Sequence, residues 1–180
     1  DQGYGKNSYA IANFRQYNKS DRNIDSLFSN KQLNQEWNNF LRKSITELVS
    51  DTKDMIRLSN PNIELSAAVK PSLYEAKERF SQEWDVWLVA GYLDKAIIMN
   101  YAVDLKVFAS NIDIIHDNLP RKYRDRIVVG IATYNQSPEK ALIKVKYSKV
   151  TRFSSIAFFS YNSLSQSKTY FQNIKNYIYK

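Results

Sequence analysis

Residues 64–102 read ELSAAVKPSLYEAKERFSQEWDVWLVAGYLDKAIIMNYA, and this stretch is the strongest indication of the fold. The apolar run at 63–69, closed by Lys70 and Pro71, predicts a strand. Residues 83–92 carry apolar side chains near helical spacing and end at Gly91, which favours a helix stop. The apolar run 95–99 predicts a second strand. Together they predict one βαβ unit, and such units form parallel sheets that are buried on both faces.

The composition limits the class of protein. At 180 residues the chain is long enough for one domain with a real core. No apolar run approaches the eighteen residues that a membrane-spanning helix needs. The absence of Cys excludes disulfides and thiol catalysis, and a single His argues against a His-based metal site. Because the chain begins Asp-Gln-Gly-Tyr-Gly rather than with Met, we expect a processed or truncated product.

The net charge of +8 is concentrated at the end of the chain. Residues 136–180 hold eight Lys or Arg, and Glu139 is the only acid there. Such a region can meet nucleic acid or an anionic surface, but it is more often the solvated face of outer helices. No RNA-binding aromatic signature interleaves these lysines, so nucleic acid is not the expected partner.

The same alternation of strands and helices continues along the chain. Helices are predicted at 33–58, 105–119, from Pro138 onward and at 165–179, and strands at 126–132 and 154–161. Residues 1–32 are polar, with Tyr9, Ile11 and Phe14 on one short helix. Four strands, each followed by a helix, predict an α/β fold. A doubly wound open sheet is the structural alternative, although no Gly-rich phosphate loop follows any strand.

Several short motifs occur in a fixed order within 66–101. They are SAAV at 66–69, Gln82-x-Trp84-x-x-Trp87, Gly91-Tyr92-Leu93-Asp94 and Met99-x-Tyr101. This order resembles the glycoside hydrolase-like proteins of family ten, which are related to (β/α)₈-barrel glycosidases. Weaker similarity lies in the helix with Trp37, Phe40 and Arg42 and in the opening Gly3-Tyr4-Gly5.

The resemblance implies a (β/α)₈ TIM barrel. A whole barrel needs about 250 residues, so this chain would supply the second half, four βα units. Residues 1–32 would then be a long polar loop or short helix segment after strand four, and 33–180 the C-terminal half of the barrel. The N-terminal half of the same barrel is the expected partner.

In a barrel, the chemistry collects at the carboxyl ends of the strands. The polar and aromatic residues expected there to bind substrate are Lys70, Asn100, Tyr101, Tyr134, Asn135 and Tyr161. Aromatic rings pack on the C–H faces of sugars while amides bond the hydroxyls. The alternative is that Tyr, with thirteen copies, is simply common here.

Glycoside hydrolysis usually takes two carboxyl groups, about 5–5.5 Å apart in retaining enzymes and about 6.5–9.5 Å apart in inverting ones. Asp104 is the catalytic candidate as acid, base or nucleophile, or else it merely caps the helix that starts at Leu105. The resemblance implies an Asp where this chain has Asn100, and an amide cannot transfer a proton as a carboxyl does. It also implies a second carboxylate on strand four, outside this sequence.

The resemblance therefore predicts a glycosidase acting on a polysaccharide, with bacterial cell-wall glycan one candidate. No cofactor or metal is implied. By the same resemblance, the protein is expected to be periplasmic, attached to the outer membrane or extracellular in a bacterium. A non-catalytic carbohydrate-binding or scaffolding protein on a decayed barrel remains the alternative.

Other conspicuous residues are expected to be structural. Helical spacing turns Trp84 and Trp87 toward the sheet, and Gln82 is expected to satisfy a helix end. Asp94, at the start of a strand, lies where barrel residues serve stability. His116 is expected at the surface.

Overall fold

The computed structural model describes residues 6–18 and 29–178. The motif Gly3-Tyr4-Gly5, most of the predicted loop before the long helix and Tyr179 lie outside the described residues. The strands are β1 (Ser66–Val69), β2 (Lys95–Ile98), β3 (Ile127–Ala132) and β4 (Ser155–Phe159). The helices are α1 (Ser8–Asn18), α2 (Lys31–Ser59), α3 (Leu73–Phe80), α4 (Trp84–Ala90), α5 (Leu105–Asn118), α6 (Arg121–Arg124), α7 (Pro138–Val150), α8 (Tyr161–Ser165) and α9 (Lys168–Ile178).

The strands form one parallel sheet in the order β1-β2-β3-β4. Because parallel crossovers are right-handed, strands that always advance in the same direction receive their helices on the same face. Val69, Ile98 and Val129 face those helices and are fully buried. A doubly wound sheet reverses its strand order, and this sheet does not. The described chain therefore has a singly wound α/β sheet.

The other face of the sheet, which we call the helix-free face, carries the alternate residues of each strand. On β1 these are Ser66 and Ala68, and both are exposed. The prediction of a sheet buried on both faces is therefore wrong for the part of the chain that the structure describes. The reason is the strand order, which sends every crossover to the same side.

The predicted structural residues hold α4 against the end of β1 and against α2. Trp84 and Trp87 are buried, and Trp84 Nε1 donates to Lys70 O at 3.0 Å while Trp87 Nε1 donates to Thr46 Oγ1 at 2.8 Å. Gln82 satisfies a helix end as predicted, because its backbone N–H donates to Ala76 O near the end of α3 at 2.8 Å. Its Oε1 accepts from Lys70 N at 2.9 Å, so it fixes the chain where β1 ends.

The long helix α2 packs on two separate groups of residues. Its first half meets Phe14 in a small cluster with Leu33 and Trp37, and its second half meets the main core. The apolar stripe predicted for the helix includes Leu48 and Met55, which are instead 62% and 65% exposed. In this part of α2 the buried residue is Lys53, whose ammonium pairs with the carboxylate of Asp94.

Local capping creates a helix that the sequence interpretation missed. A loop was expected between Pro71 and the helix at 83–92, but α3 forms there. Ser72 caps its first turn by accepting from Glu75 N at 3.2 Å, and Ser81 ends it in the left-handed region at φ 55°. The short helices α6 and α8 were also missed. The predicted last helix is α9, and the predicted last strand ends at Phe159 because Tyr161 begins α8.

His116 lies at the surface, as predicted. His116 is half-exposed, with Nδ1 3.1 Å from Asp117 Oδ1, as expected for a surface residue. No helix among residues 6–18 and 29–178 combines the length and apolar character needed to cross a membrane.

Candidate functional site

Three aromatic rings meet at the carboxyl end of the sheet. Tyr101 stacks on Phe159 with ring centroids 5.4 Å apart and planes 11° apart. Tyr134 stands edge-on to both, at 6.4 Å from Tyr101 and 6.2 Å from Phe159. Tyr134 and Phe159 are each about half exposed, at 55% and 52%. These three residues form what we call the aromatic cluster.

Gly130 makes room for the aromatic cluster on the helix-free face. A Cβ at Gly130 would lie 3.2 Å from Tyr101 Cε1 and 2.7 Å from Ile98 O. The Tyr101 ring therefore lies close over the β3 backbone, where any side chain at this strand position would collide with it. The close approach of a ring to the strand is the reason for glycine here.

The sequence interpretation placed Tyr101 and Tyr134 at one rim, and the structure brings them together. It missed the third ring, Phe159. Successive strand residues face opposite sides, so Phe158 joins the core and Phe159 falls on the helix-free face. The alternation of side chains along a strand could have indicated that Phe158 and Phe159 face opposite sides of the sheet. Tyr161 is 73% exposed in α8 and does not form part of the aromatic cluster.

Asn135 links the loop after β3 to the loop after β2. Its Nδ2 donates to Tyr101 O at 3.3 Å. Its Oδ1 is buried and has no hydrogen-bond partner among the described residues. Buried acceptors are nearly always paired, so this unpaired oxygen is an exception among the described residues.

Asn100 is buried and turned toward α5. Its Nδ2 donates to Phe108 O at 3.0 Å, and its Oδ1 accepts from Asn111 Nδ2 at 3.1 Å. The amide thus anchors the start of α5 to the end of β2. Both polar atoms of the side chain already have partners within the protein. Its role in substrate binding stays a prediction.

A cleft of about 290 Å³ opens beside the ends of β1 and β2. It brings together three of the predicted residues, Lys70, Asn100 and Tyr101, and Tyr101 connects it to the aromatic cluster. Lys70 Nζ lies 4.3 Å from the ring centroid of Phe80. Glu75 of α3, which the sequence interpretation missed, also lines the cleft and is paired with an arginine of its own helix at 2.8 Å.

Asp104 is the N-cap of α5. Its Oδ1 accepts from Lys106 N at 2.8 Å and from Val107 N at 3.0 Å, and its side chain is exposed. Capping occupies one carboxylate oxygen and leaves Oδ2 outside the cap bonds. The predicted cap is therefore confirmed, and the catalytic role stays a prediction.

Lys144 is a buried lysine that the sequence interpretation assigned to the solvated basic face. That assignment is wrong, because only 1% of the residue is exposed. Its Nζ donates to Ala102 O, to Val103 O at 3.1 Å and to Gln136 Oε1. Burial lowers the pKa of Lys144, as does neighbouring Lys140. Helical spacing from the buried Ala141 was the signal that could have placed it inside.

Within residues 6–18 and 29–178, no group of three or more His, Cys, Asp or Glu side chains is arranged to hold a metal ion. The polar groups at this end of the sheet are instead amides, hydroxyls, a lysine and single carboxylates.

Replacing Asn100 with aspartate is expected to lower the free energy of unfolding by about 2 kcal/mol. The change removes the donor to Phe108 O and sets a carboxylate oxygen against that carbonyl. Urea unfolding at pH 7 measures the loss. Asn111→Asp, which alters the partly exposed end of the same pair, is the control and should cost less. Equal stability of wild type and Asn100→Asp would contradict this account of the buried amide.

Comparison with known proteins agrees with the geometry. The profile of the family described as glycosyl hydrolase-like 10 matches residues 1–149. The match ends within α7, so β4 and Phe159 lie beyond it. No curated protein matches the chain closely enough to count as a relative. A match over this much of the chain establishes that the protein belongs to the glycosyl hydrolase-like 10 family.

Proposed function

We propose that the chain is the C-terminal half of a (β/α)₈-barrel glycosidase that acts on a polysaccharide. The observation that carries this proposal is the aromatic cluster, which lies on the helix-free face at the carboxyl end of the sheet. A pyranose ring has apolar C–H faces that pack on such rings. Asn135, next to the cluster, fixes the backbone of Tyr101 by donating from Nδ2 to Tyr101 O.

The sheet supports the barrel part of the proposal. Half of a (β/α)₈ barrel has four parallel strands in sequential order, helices on its outer face and small or apolar side chains toward the interior. The described chain has this strand order and this separation of faces. The N-terminal half would pair with the edges β1 and β4 and cover the helix-free face. In this division residues 1–32 precede the half-barrel, which begins at 33.

The chemistry would be carboxylate acid–base catalysis. Asp104 would act as acid, base or nucleophile through the oxygen that does not cap α5. The second carboxylate would come from the N-terminal half. It would lie about 5–5.5 Å from Asp104 in a retaining enzyme and about 6.5–9.5 Å away in an inverting one. Tyr101, Tyr134 and Asn135 would hold the sugar, with Lys70 and Asn100 along the adjoining cleft and Tyr161 at the outer edge.

We further propose that the protein works in the bacterial periplasm, on the outer membrane or outside the cell, where a polysaccharide of the envelope would be accessible. This proposal rests on the sequence resemblance alone. Fractionation of cells expressing the natural gene tests it, and recovery of the protein with cytoplasmic markers alone would overturn it.

Tyr134→Ala is expected to weaken oligosaccharide binding about tenfold. Losing one half-exposed stacking ring removes on the order of 1 kcal/mol of contact, and the two rings left behind lose an edge-on neighbour. Calorimetric titration with hexamers of β-1,4-linked glucose and β-1,4-linked N-acetylglucosamine measures the effect. Product analysis of the same mixtures tests hydrolysis.

Tyr9→Ala is the matched control, because Tyr9 is 76% exposed on α1 and takes no part in the aromatic cluster. Its binding should equal that of the wild type. If both variants bind as the wild type does, the aromatic cluster is not the sugar platform. If no polysaccharide or oligosaccharide binds, the proposed function fails.

A carbohydrate-binding protein without catalysis is the second candidate. It is favoured by Asn100, since an amide bonded to Phe108 O and Asn111 stands where the family resemblance implies a carboxylate. Binding that depends on Tyr134 but proceeds without cleavage, in the protein with both barrel halves, would support this candidate over the hydrolase.

A further inference from the structure

We propose that Lys144 is a positioning residue that holds the loop bearing Tyr101 and Asp104 in register with the loop bearing Tyr134 and Asn135. The first loop is residues 99–104, between β2 and α5. The second is residues 133–137, between β3 and α7. This role rests on the proposed function, because it deepens the account of the same sugar site.

The contacts of Lys144 bridge the two loops. Its ammonium reaches the carbonyls of Ala102 and Val103, the two residues directly before Asp104. Its third bond goes to Gln136 Oε1, in the loop after β3. An ammonium has three donors, and all three are used between these loops. Lys144 lies in the middle of α7, so its bonds attach both loops to a rigid helix.

Further hydrogen bonds complete a closed network. Gln136 Nε2 donates to Ala132 O, at the end of β3. Tyr170 Oη donates to Gln136 O at 3.3 Å. Asn135 Nδ2 donates to Tyr101 O at 3.3 Å, which joins the second loop back to the first. A shift of either loop would therefore break bonds in both.

The burial of Lys144 argues for positioning rather than stability. Taking an ammonium out of water is costly, and carbonyl and amide oxygens recover only part of that cost. The charged groups that act on it are Lys140, one turn earlier in α7, and Asp104, at the start of α5. The face of the Phe108 ring lies 5.6 Å from Nζ. An apolar residue of similar length would fill the same space at lower cost, but it would not bind the three oxygens.

The first test is Lys144→Met in the whole chain, with Lys140→Met as the matched control on the exposed side of α7. We expect the amide NMR signals of both loops to shift or broaden in Lys144→Met, while those of β1 stay in place. Affinity for the two hexamers should fall at least tenfold. Lys140→Met should change neither. Unmoved signals in both loops of Lys144→Met would overturn the proposal.

The second test uses the wild type, so it does not depend on a variant that folds. Burial lowers the pKa of Lys144 below its usual 10.5. As the pH is raised from 7 to 10.5, the signals of both loops should titrate with the midpoint of the Lys144 Cε signal, and this shared titration should vanish in Lys144→Met. A residue that only fills space would show no such coupling. Independent titration of the loops, or the same titration in Lys144→Met, would overturn the proposal.

The two proposals fail in different ways. If the loops respond to Lys144 but neither hexamer nor any polysaccharide binds the wild type, the proposed function is wrong and the positioning role is supported. If a hexamer binds the wild type and Lys144→Met equally well, with unmoved loops, the positioning role is wrong and the sugar site stands.

Discussion

Gly130→Ala is expected to lower the free energy of unfolding by about 3 kcal/mol, at the upper end of what overpacking usually costs. In most strand interiors the same change is stabilising by roughly 0.5–1 kcal/mol, because glycine loses more backbone entropy on folding. Here the new Cβ would lie 2.7 Å from Ile98 O, a backbone atom of the neighbouring strand. It would also lie 3.2 Å from Tyr101 Cε1. Relief of the contact with Ile98 O requires a backbone shift that disturbs the β2–β3 pairing, and the ring has to move as well.

Chemical unfolding measures the loss of stability, and calorimetric titration with the hexamers measures the displacement of Tyr101 from the aromatic cluster. Gly91→Ala is the comparison. Gly91 has φ 76°, with its nearest atom 4.0 Å from an added Cβ, so only the left-handed backbone opposes alanine there, at about 1 kcal/mol. A Gly130→Ala protein as stable as the wild type would contradict the close approach of Tyr101 to β3.

Asp94→Ala is expected to lower the free energy of unfolding by about 4 kcal/mol, since it leaves a buried ammonium without its partner. Lys53 is 6% exposed, and its ammonium pairs with Asp94 at the start of β2. The same carboxylate accepts from Leu65 N at 2.6 Å, just before β1. The substitution therefore leaves both a charge and a backbone donor unsatisfied, and it loosens the contact between α2 and the sheet.

Two comparisons separate the buried pair from ordinary surface charge. Glu47→Ala breaks the exposed pair of Lys43 and Glu47, 3.7 Å apart, and should cost no more than about 0.5 kcal/mol. Adding Lys53→Met to Asp94→Ala removes the stranded ammonium and should recover part of the loss. If Asp94→Ala unfolds no more easily than Glu47→Ala, the ion pair does not hold α2 in place.

The same pair makes stability depend on pH. Burial raises the pKa of Asp94, but the hydrogen bonds from Lys53 and Leu65 and the charges of Lys53 and Arg126 together bring it below its ordinary value. A carboxylate with a depressed pKa in the folded state contributes its full stabilisation above the unfolded pKa, about 3.9. That contribution is lost as the pH falls through the folded pKa. Urea unfolding between pH 6 and pH 2 should show a steeper acid loss for the wild type than for Asp94→Asn.

The sequence was a good guide to features that depend on neighbouring residues. The βαβ unit at 64–102, the N-caps Ser137 and Asp104 and the inward Trp84 and Trp87 follow from apolar spacing and capping residues, and the structure contains them. Where two local signals competed, the prediction failed. Pro71 suggested a loop, but the cap from Ser72 to Glu75 N outweighed it and α3 formed.

Features that join distant parts of the chain could not be obtained in this way. Leu48 and Met55 fit the apolar period of α2 yet are exposed, because α2 changes partners along its length from the Phe14 cluster to the main core. For the candidate site, the sequence identified Tyr101, Tyr134 and Asn135 as rim residues. It gave no indication that Phe159 stacks on Tyr101 or that Gly130 lies beneath that ring.

The types of element, their order and the polar and aromatic residues that follow each strand can be read from the chain, because backbone hydrogen bonding, apolar period and capping act over a few residues. The sheet face that the helices cover, the three rings that meet and the position of the Lys144 ammonium depend on how the elements assemble. Those outcomes depend on strand order, register and crossover direction, which bring residues thirty to sixty positions apart into contact. Lys144 shows the difference most plainly. As a residue type it predicts a solvated surface, but two carbonyls about forty residues away and the nearby Gln136 Oε1 converge on its ammonium in the interior.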